Sequence, residues 1–153
     1  MRECKIIRRK VELPQPYVLI LLGLPASGKS TFARRLREKD DVVVLSSDDI
    51  REEMFGSRFS EEIREAVFLQ MAGRAGAALR SGRNVVFDTT YLNAAESRDR
   101  MRGMLVGIPF RWRQKAFMAD IETCVKRDSL RPAHRRVGRA VIERLAQTLD
   151  FSE

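Results

Sequence analysis

Two hydrophobic patterns alternate along this chain: short continuous apolar runs, and longer stretches in which apolar residues recur at helical spacing. Tyr17 to Leu22 (YVLILL) is apolar throughout, as expected of a strand covered on both faces in a parallel sheet. Ser30 to Lys39 then reads as a helix, Val42 to Leu45 as a second buried strand, and Asp48 to Phe55 as a short helix. Ser60 precedes Glu61 and Glu62, a capping residue followed by acids in the first turn, and Ile63, Val67, Phe68 and Met71 carry the helical spacing on to about Arg80. Ser81-Gly82 ends that helix. Val85 to Phe87 is a third strand, Asn93 to about Met104 a helix, and Arg111 to Met118 a fourth strand with one polar face. Asp120 to Leu130 reads as a helix, Arg131 to Gly138 as a loop, and Arg139 to Leu149 as a last amphipathic helix. Ahead of Pro14-Gln15-Pro16, Lys5 to Leu13 is β-tolerant and reads as an edge strand or arm. Strand and helix alternation of this kind predicts an α/β/α sandwich around a mainly parallel sheet of about four to five strands. In such folds ligands meet the carboxyl ends of the strands, so residues just after each strand are the ones to inspect.

Composition narrows the picture. The chain has 153 residues, 44% of them apolar, which suits one domain with one core. No apolar run approaches a membrane span and the N-terminus lacks a signal-peptide core, so a cytoplasmic protein without membrane partners is expected. Cys4 and Cys124 have no metal-site spacing, and Cys124, near Ile121 and Val125 at helical spacing, reads as a buried thiol. The formal charge of +8 rests on 23 Arg and 6 Lys, a guanidinium excess that leans toward phosphate-bearing partners.

The first strand is followed by Gly23-Leu24-Pro25-Ala26-Ser27-Gly28-Lys29-Ser30, which fits G-x-x-x-x-G-K-[ST] between strand and helix. The glycines allow backbone N–H groups to curl around a β-phosphate, and the next helix, entered through Ser30 and Thr31, aims its positive end at the same anion. ATP or another nucleoside triphosphate is therefore the expected ligand, with Lys29 bridging the β- and γ-phosphates and Ser30 ligating Mg2+. A compact chain with no N-K-x-D segment and an arginine-rich end fits a kinase with a closing lid better than a motor or GTP switch.

Strand two runs into Ser46-Ser47-Asp48-Asp49-Ile50-Arg51, where a carboxylate would face the γ-phosphate opposite the leaving group. Asp48 is a candidate general base, and Arg51, three residues on, shares its helical face and could grip an anionic acceptor. The competing reading makes Asp48 or Asp49 a helix cap. Asp88, ending strand three in VVFDTTYLN, is a candidate to approach the metal, directly or through water, against a plain turn role. Arg127 and Arg131 share a face leading into Pro132-Ala133-His134-Arg135-Arg136, so about 127–138 is a candidate lid delivering guanidiniums to the nucleotide; the alternative is a solvated basic face, which suits Arg139 or Arg144. His134, the single histidine, reads as exposed, and Arg74, Arg80, Arg98 and Arg102 as at most a steering field.

With these motifs in this order, the chain resembles the polynucleotide 5′-kinase family, the P-loop kinase modules of phage and bacterial nucleic-acid end-healing enzymes. The resemblance runs from about Val18 to Leu145 and rests on LLGLPASGKSTFARRL, SSDDIR, VVFDTTYLN and VKRDSLRPAHRRV. It implies a P-loop NTPase-type fold and Mg2+-assisted transfer of the γ-phosphoryl group of ATP to the 5′-OH of RNA or DNA, as in nucleic-acid repair. By the same resemblance Asp48 is the base on the 5′-OH and Arg51 binds an acceptor phosphate, while Lys29, Arg127 and Arg131 hold ATP and Arg131 contacts the transition state. Thr90 stands where the family often has Asn, and Pro132-Ala133 departs from its lid pattern, which leaves Arg135 and Arg136 without assigned roles. Related modules are often fused to, or work with, a phosphatase, phosphohydrolase or ligase, so this chain could be one domain of a longer enzyme. Two other functions stay open: a P-loop kinase for a small molecule, and a non-catalytic nucleotide-gated module that binds nucleic acid.

Overall fold

A computed structural model describes residues 14–39 and 41–153. The β-tolerant segment Lys5 to Leu13 and Cys4 lie outside these residues. The strands are β1 (Tyr17–Leu22), β2 (Val42–Ser46), β3 (Asn84–Asp88) and β4 (Arg111–Ala116). The helices are α1 (Lys29–Lys39), α2 (Ser47–Phe55), α3 (Glu61–Arg80), α4 (Ala95–Met104), α5 (Ile121–Ser129) and α6 (Arg139–Thr148), with a 3-10 turn at Ala133–Arg135.

All strand pairs among the described residues are parallel, in the order β2-β3-β1-β4. Val18, Ile20 and Leu21 of β1 and Val85, Val86 and Phe87 of β3 are fully buried, which is why both strands read as unbroken apolar runs. One sheet face carries Ile20, Leu45 and Phe87 against Val67, Met71 and Leu79 of α3 and Met101 of α4. The other carries Leu21, Val42 and Val86 against Ala33, Phe32 and Leu36 of α1. Burial on both faces gives the expected layered α/β architecture of a P-loop NTPase. A smaller cluster of Leu24, Cys124 and Ile142 anchors α5 and α6 near the phosphate loop, with Cys124 buried as expected.

Helix starts follow local chemistry. The Ser46 side chain accepts from the Asp49 backbone N–H and caps α2, Ser60 does the same for α3 through Ile63, and Asp120 caps α5 through Thr123. The cap of α2 is therefore Ser46, which removes the capping reading of Asp48 and Asp49. Arg98 departs from the sequence expectation as well. It is buried rather than part of a surface field, and donates to the carbonyls of Leu92, Asn93 and Ser152. Arg74 is committed to a bidentate pair with Glu53, and Arg102 lies over the Trp112 ring at 4.2 Å. No helix of the described residues is long and apolar enough to cross a membrane.

Candidate functional site

The carboxyl ends of β1, β2 and β3 converge on the phosphate loop. The loop leaves β1 at Gly23, where a Cβ would sit 2.7 Å from Ser27 Oγ and 3.0 Å from Phe117, so the close approach excludes any side chain. Ala26 follows with a φ of 61°, a left-handed conformation that costs a non-glycine residue energy and persists because the surroundings fix it. The start of the loop is held by Asn93, which is buried. Its Nδ2 donates to the Gly23 carbonyl at 2.9 Å and its Oδ1 accepts from the Gly23 N–H at 3.1 Å. Asn93 lies 70 residues from Gly23, and the sequence marks it only as the end of the Asp-Thr-x-x-x-Asn stretch in VVFDTTYLN, with no role of its own.

Lys29 is buried beneath this loop, and its Nζ donates to the carbonyls of Gly23 at 2.8 Å and Leu24 at 2.7 Å. Burial lowers its ammonium to about 8, opposed by the negative charge of Asp88. Ser30 is exposed toward the cleft. Asp88, at the end of β3, has its carboxyl pushed above the usual range by burial, against a hydrogen bond from Ser30 and the charge of Lys29. The turn bond beside it comes from Thr89, whose Oγ1 accepts from the Tyr91 N–H, so Asp88 is not consumed in that turn. Ser30 and Asp88 thus set two oxygen groups side by side at the loop, a pair that could hold a Mg2+ ion shared with phosphate oxygens. Among the described residues no cluster of three or more His, Cys, Asp or Glu side chains could hold a metal without such help.

Two cavities meet at this loop. The larger, about 830 Å3, is lined by Ser27 to Thr31 together with Phe117, Arg127, Arg131 and Arg135. Arg127 closes over its rim and donates to the Ala26 carbonyl at 3.4 Å. The smaller, about 160 Å3, opens on the other side of Lys29 and Ser30, and Asp48, Arg51, Asp88 and Arg131 line it. Arg131 therefore borders both cavities, as do Lys29 and Ser30. Asp48 joins them electrostatically: its Oδ1 meets Arg51 at 3.1 Å and its Oδ2 meets Arg131 at 3.6 Å.

The segment after α5 is ordered by Asp128, a buried carboxylate that the sequence shows only as one of two acids among the arginines. It accepts from the backbone N–H groups of Val137 and Gly138 and pairs with Arg131 at 3.4 Å. Arg135, left without a role by sequence, binds Asp49 and Glu52 on α2 at 2.9 and 2.8 Å, and His134, exposed as expected, still reaches Glu52 at 3.3 Å. The hydrogen bond and charge of Arg135 hold the Glu52 carboxyl below its usual range. Arg139 is tied to Glu122 and Glu143, in keeping with a solvated face, whereas Arg144 lines the smaller cavity.

Known proteins sharpen this geometry. The model of a family described as AAA domain matches residues 18–151. No curated protein matches the chain. Among solved structures, a chain of the Pnkp1/Rnl/Hen1 RNA repair complex superposes with a TM-score of 0.74 and 29% identity, over 92% of this chain and 46% of that one. This chain thus spans less than half of the repair-complex chain. An APS kinase from Mycobacterium tuberculosis, solved with AMPPNP and APS, superposes with a TM-score of 0.62 at 24% identity, over 76% of this chain and 70% of that one. A gluconokinase from Sinorhizobium meliloti gives a TM-score of 0.61 at 17% identity, over 90% and 77% of the two chains, and these last two speak to fold alone. The chain belongs to the AAA-domain family, as a P-loop kinase-type domain built to bind a nucleotide.

Proposed function

We propose that this domain is a polynucleotide 5′-hydroxyl kinase. The observation that carries the reading is the position of Asp48 in a second cavity that shares Lys29, Ser30 and Arg131 with the nucleotide cavity. A hydroxyl in the smaller cavity can attack the γ-phosphorus of ATP in the larger one: the new O–P bond forms, the bond to the β-γ bridging oxygen breaks, and the hydroxyl proton passes to Asp48. Lys29 and the loop N–H groups hold the β- and γ-phosphates, with Arg127 and Arg131 neutralising charge from the lid side. Ser30 and Asp88 would hold Mg2+, which supplies further neutralisation of the phosphate oxygens. The acceptor cavity itself is cationic, bordered by Arg51, Arg64, Arg131 and Arg144 against Asp48 and Asp88, which favours an acceptor carrying phosphates. The likeness to a chain of an RNA repair complex supports the same class.

The test is transfer of label from γ-labelled ATP to a 5′-OH oligonucleotide. Label should appear on the 5′ end, and Asp48→Asn should reduce it by at least about a hundredfold. Transfer that Asp48→Asn leaves intact overturns the assignment. An acceptor affinity indifferent to ionic strength would point instead to a small neutral acceptor, since strand phosphates release counterions on binding. Oligonucleotide binding that survives Lys29→Met with no acceptor turned over would favour a non-catalytic module.

A further inference from the structure

Tyr91 carries the one buried side-chain polar atom of the described residues that lacks a hydrogen-bond partner, its phenolic oxygen. The residue is only 9% exposed, yet it borders both the acceptor cavity and a neighbouring cavity of about 130 Å3. Arg64 borders the same two cavities and holds its guanidinium 4.8 Å above the Tyr91 ring. Among the described residues Arg64 has no carboxylate within ion-pair distance, unlike Arg100, which borders the 130 Å3 cavity with it and pairs with Glu65. An orphaned hydroxyl and an unneutralised guanidinium thus sit together at the wall of a cavity already bordered by Arg51.

We propose that Arg64 and the Tyr91 hydroxyl form a subsite for a phosphodiester of the acceptor strand, beside Arg51, with Phe59 as a platform for a base. This rests on the polynucleotide-kinase reading and specifies where the strand lies. The buried hydroxyl has already lost water, so donating to a phosphate oxygen gains a hydrogen bond without a further desolvation cost. Burial also pushes the phenol above its usual range, against the nearby charges of Arg51 and Arg64 and the approach of the Arg51 guanidinium to its oxygen, so the phenol keeps its proton and that O–H has only cationic neighbours until an acceptor arrives. Arg51 now turns toward Asp48 at 3.1 Å, and an entering phosphate would draw Arg51 and Arg64 onto its oxygens and open the way to the hydroxyl. Phe59 is 63% exposed at the mouth of this cavity, with the Arg51 guanidinium 5.9 Å from its ring centre. An aromatic face of this kind stacks any base, so the subsite reads backbone and not sequence.

The test compares Tyr91→Phe and Arg64→Met with the unaltered protein on a 5′-OH oligonucleotide and on a nucleoside without phosphate. Each substitution should raise KM for the oligonucleotide about tenfold, more than it lowers kcat, as expected for a hydrogen bond to a charged group. The penalty on the bare nucleoside should be far smaller. Tyr91→Phe removes only the unpartnered oxygen, so thermal stability should hold or rise, which separates binding from folding. Equal penalties on the two acceptors, or an unchanged oligonucleotide KM, overturn the subsite. If the unaltered protein transfers phosphate to no oligonucleotide, the kinase reading fails by itself. Fluorescence anisotropy of a labelled oligonucleotide then decides the subsite: weaker binding by both variants upholds it and equal binding refutes it.

Discussion

Replacing Asn93 by Ala tests whether the phosphate loop is held from outside its own sequence. The substitution removes two buried hydrogen bonds, at 2.9 and 3.1 Å, that join the loop's first glycine to the turn after β3. The Gly23 carbonyl keeps Lys29 Nζ at 2.8 Å, so the group left without a partner is the Gly23 N–H. An orphaned buried N–H costs roughly 1–3 kcal/mol, and the second bond with its packing adds about 1 kcal/mol. The sum, about 2–4 kcal/mol, is a large part of the roughly 5–15 kcal/mol that stabilises a typical domain. Asn93→Asp sharpens the test. It keeps an acceptor for the N–H but sets a second oxygen against the Gly23 carbonyl, so at neutral pH it should destabilise at least as much as Ala. Acidification should relieve it, because a protonated carboxyl donates where the amide did; the defect is present above the carboxyl range and fades as pH falls through it. Urea unfolding curves give these differences where the transition is two-state. A loop freed to sample other conformations must be reordered by its ligand, so affinity for a nonhydrolysable ATP analogue should fall about tenfold. A loss of stability below about 0.5 kcal/mol with unchanged nucleotide affinity would show that the clamp does not hold the loop.

Three further substitutions probe the surroundings. Arg98→Met should destabilise by about 1–3 kcal/mol in urea titrations, since it strands the Leu92 carbonyl and leaves those of Asn93 and Ser152 with single donors, Asp150 N–H and Gln114 Nε2; a surface arginine would give no measurable change. Asp128→Asn removes the charge that orients Arg131 and weakens the acceptor for the Val137 and Gly138 N–H groups, so phosphoryl transfer should fall at least about tenfold and amide exchange at 137 and 138 should quicken. The contact of Arg135 on α2 should be sensitive to acid. Arg135 holds Glu52 below its ordinary value of 4.5, so the stability of this pair is present above that value and is lost as pH falls through the depressed one. The difference in stability between the unaltered protein and Arg135→Ala should therefore shrink below about pH 4.5, and a difference constant with pH would refute the link.

What the sequence revealed and what it hid divide along the range of the interactions. The strand-loop-helix of β1, Gly23 to Ser30 and α1 was readable because an apolar run, glycine spacing and a following helix are all local features. Ser60 announced α3 for the same reason. Asp48 with Arg51 was readable as one helical face, and the structure sets the two 3.1 Å apart. The clamp of Asn93 on Gly23 and the bonds from Arg135 to Asp49 and Glu52 were not readable. They span 70, 86 and 83 residues and exist only because the strand order carries β3 between β1 and β2 and the fold brings the 3-10 turn after α5 to α2. Arg98 misled for another reason. Its neighbours in sequence are polar, but a buried guanidinium is stable wherever several carbonyls converge, and the convergence of Leu92, Asn93 and Ser152 is a tertiary fact. Ser46 displaced Asp48 from the cap because the helix begins one residue earlier than its acids suggest.

The same long-range contacts suggest how donor and acceptor would be coupled. Both Asp48 oxygens are engaged, Oδ1 by Arg51 and Oδ2 by Arg131, so a hydroxyl must compete with a guanidinium for its place at either. The second contact is the longer, and Arg131 divides its guanidinium between Asp48 and Asp128. A γ-phosphate entering the larger cavity offers Arg131 a stronger partner than a carboxylate at 3.6 Å. Capture of Arg131 by the donor would release Oδ2 while Asp128 keeps the backbone at Val137 and Gly138 in place. The acceptor phosphate would do the same at Oδ1 by drawing off Arg51. The proposed base would then be most open when both substrates are present, which would suit an enzyme that must not pass its phosphoryl group to water. On this reasoning, Arg131→Ala frees an oxygen of Asp48 but loses the charge on the transferred group. It should depress transfer to the oligonucleotide more than hydrolysis of ATP, raising the ratio of hydrolysis to transfer. An unchanged ratio would mean that Arg131 serves the nucleotide alone.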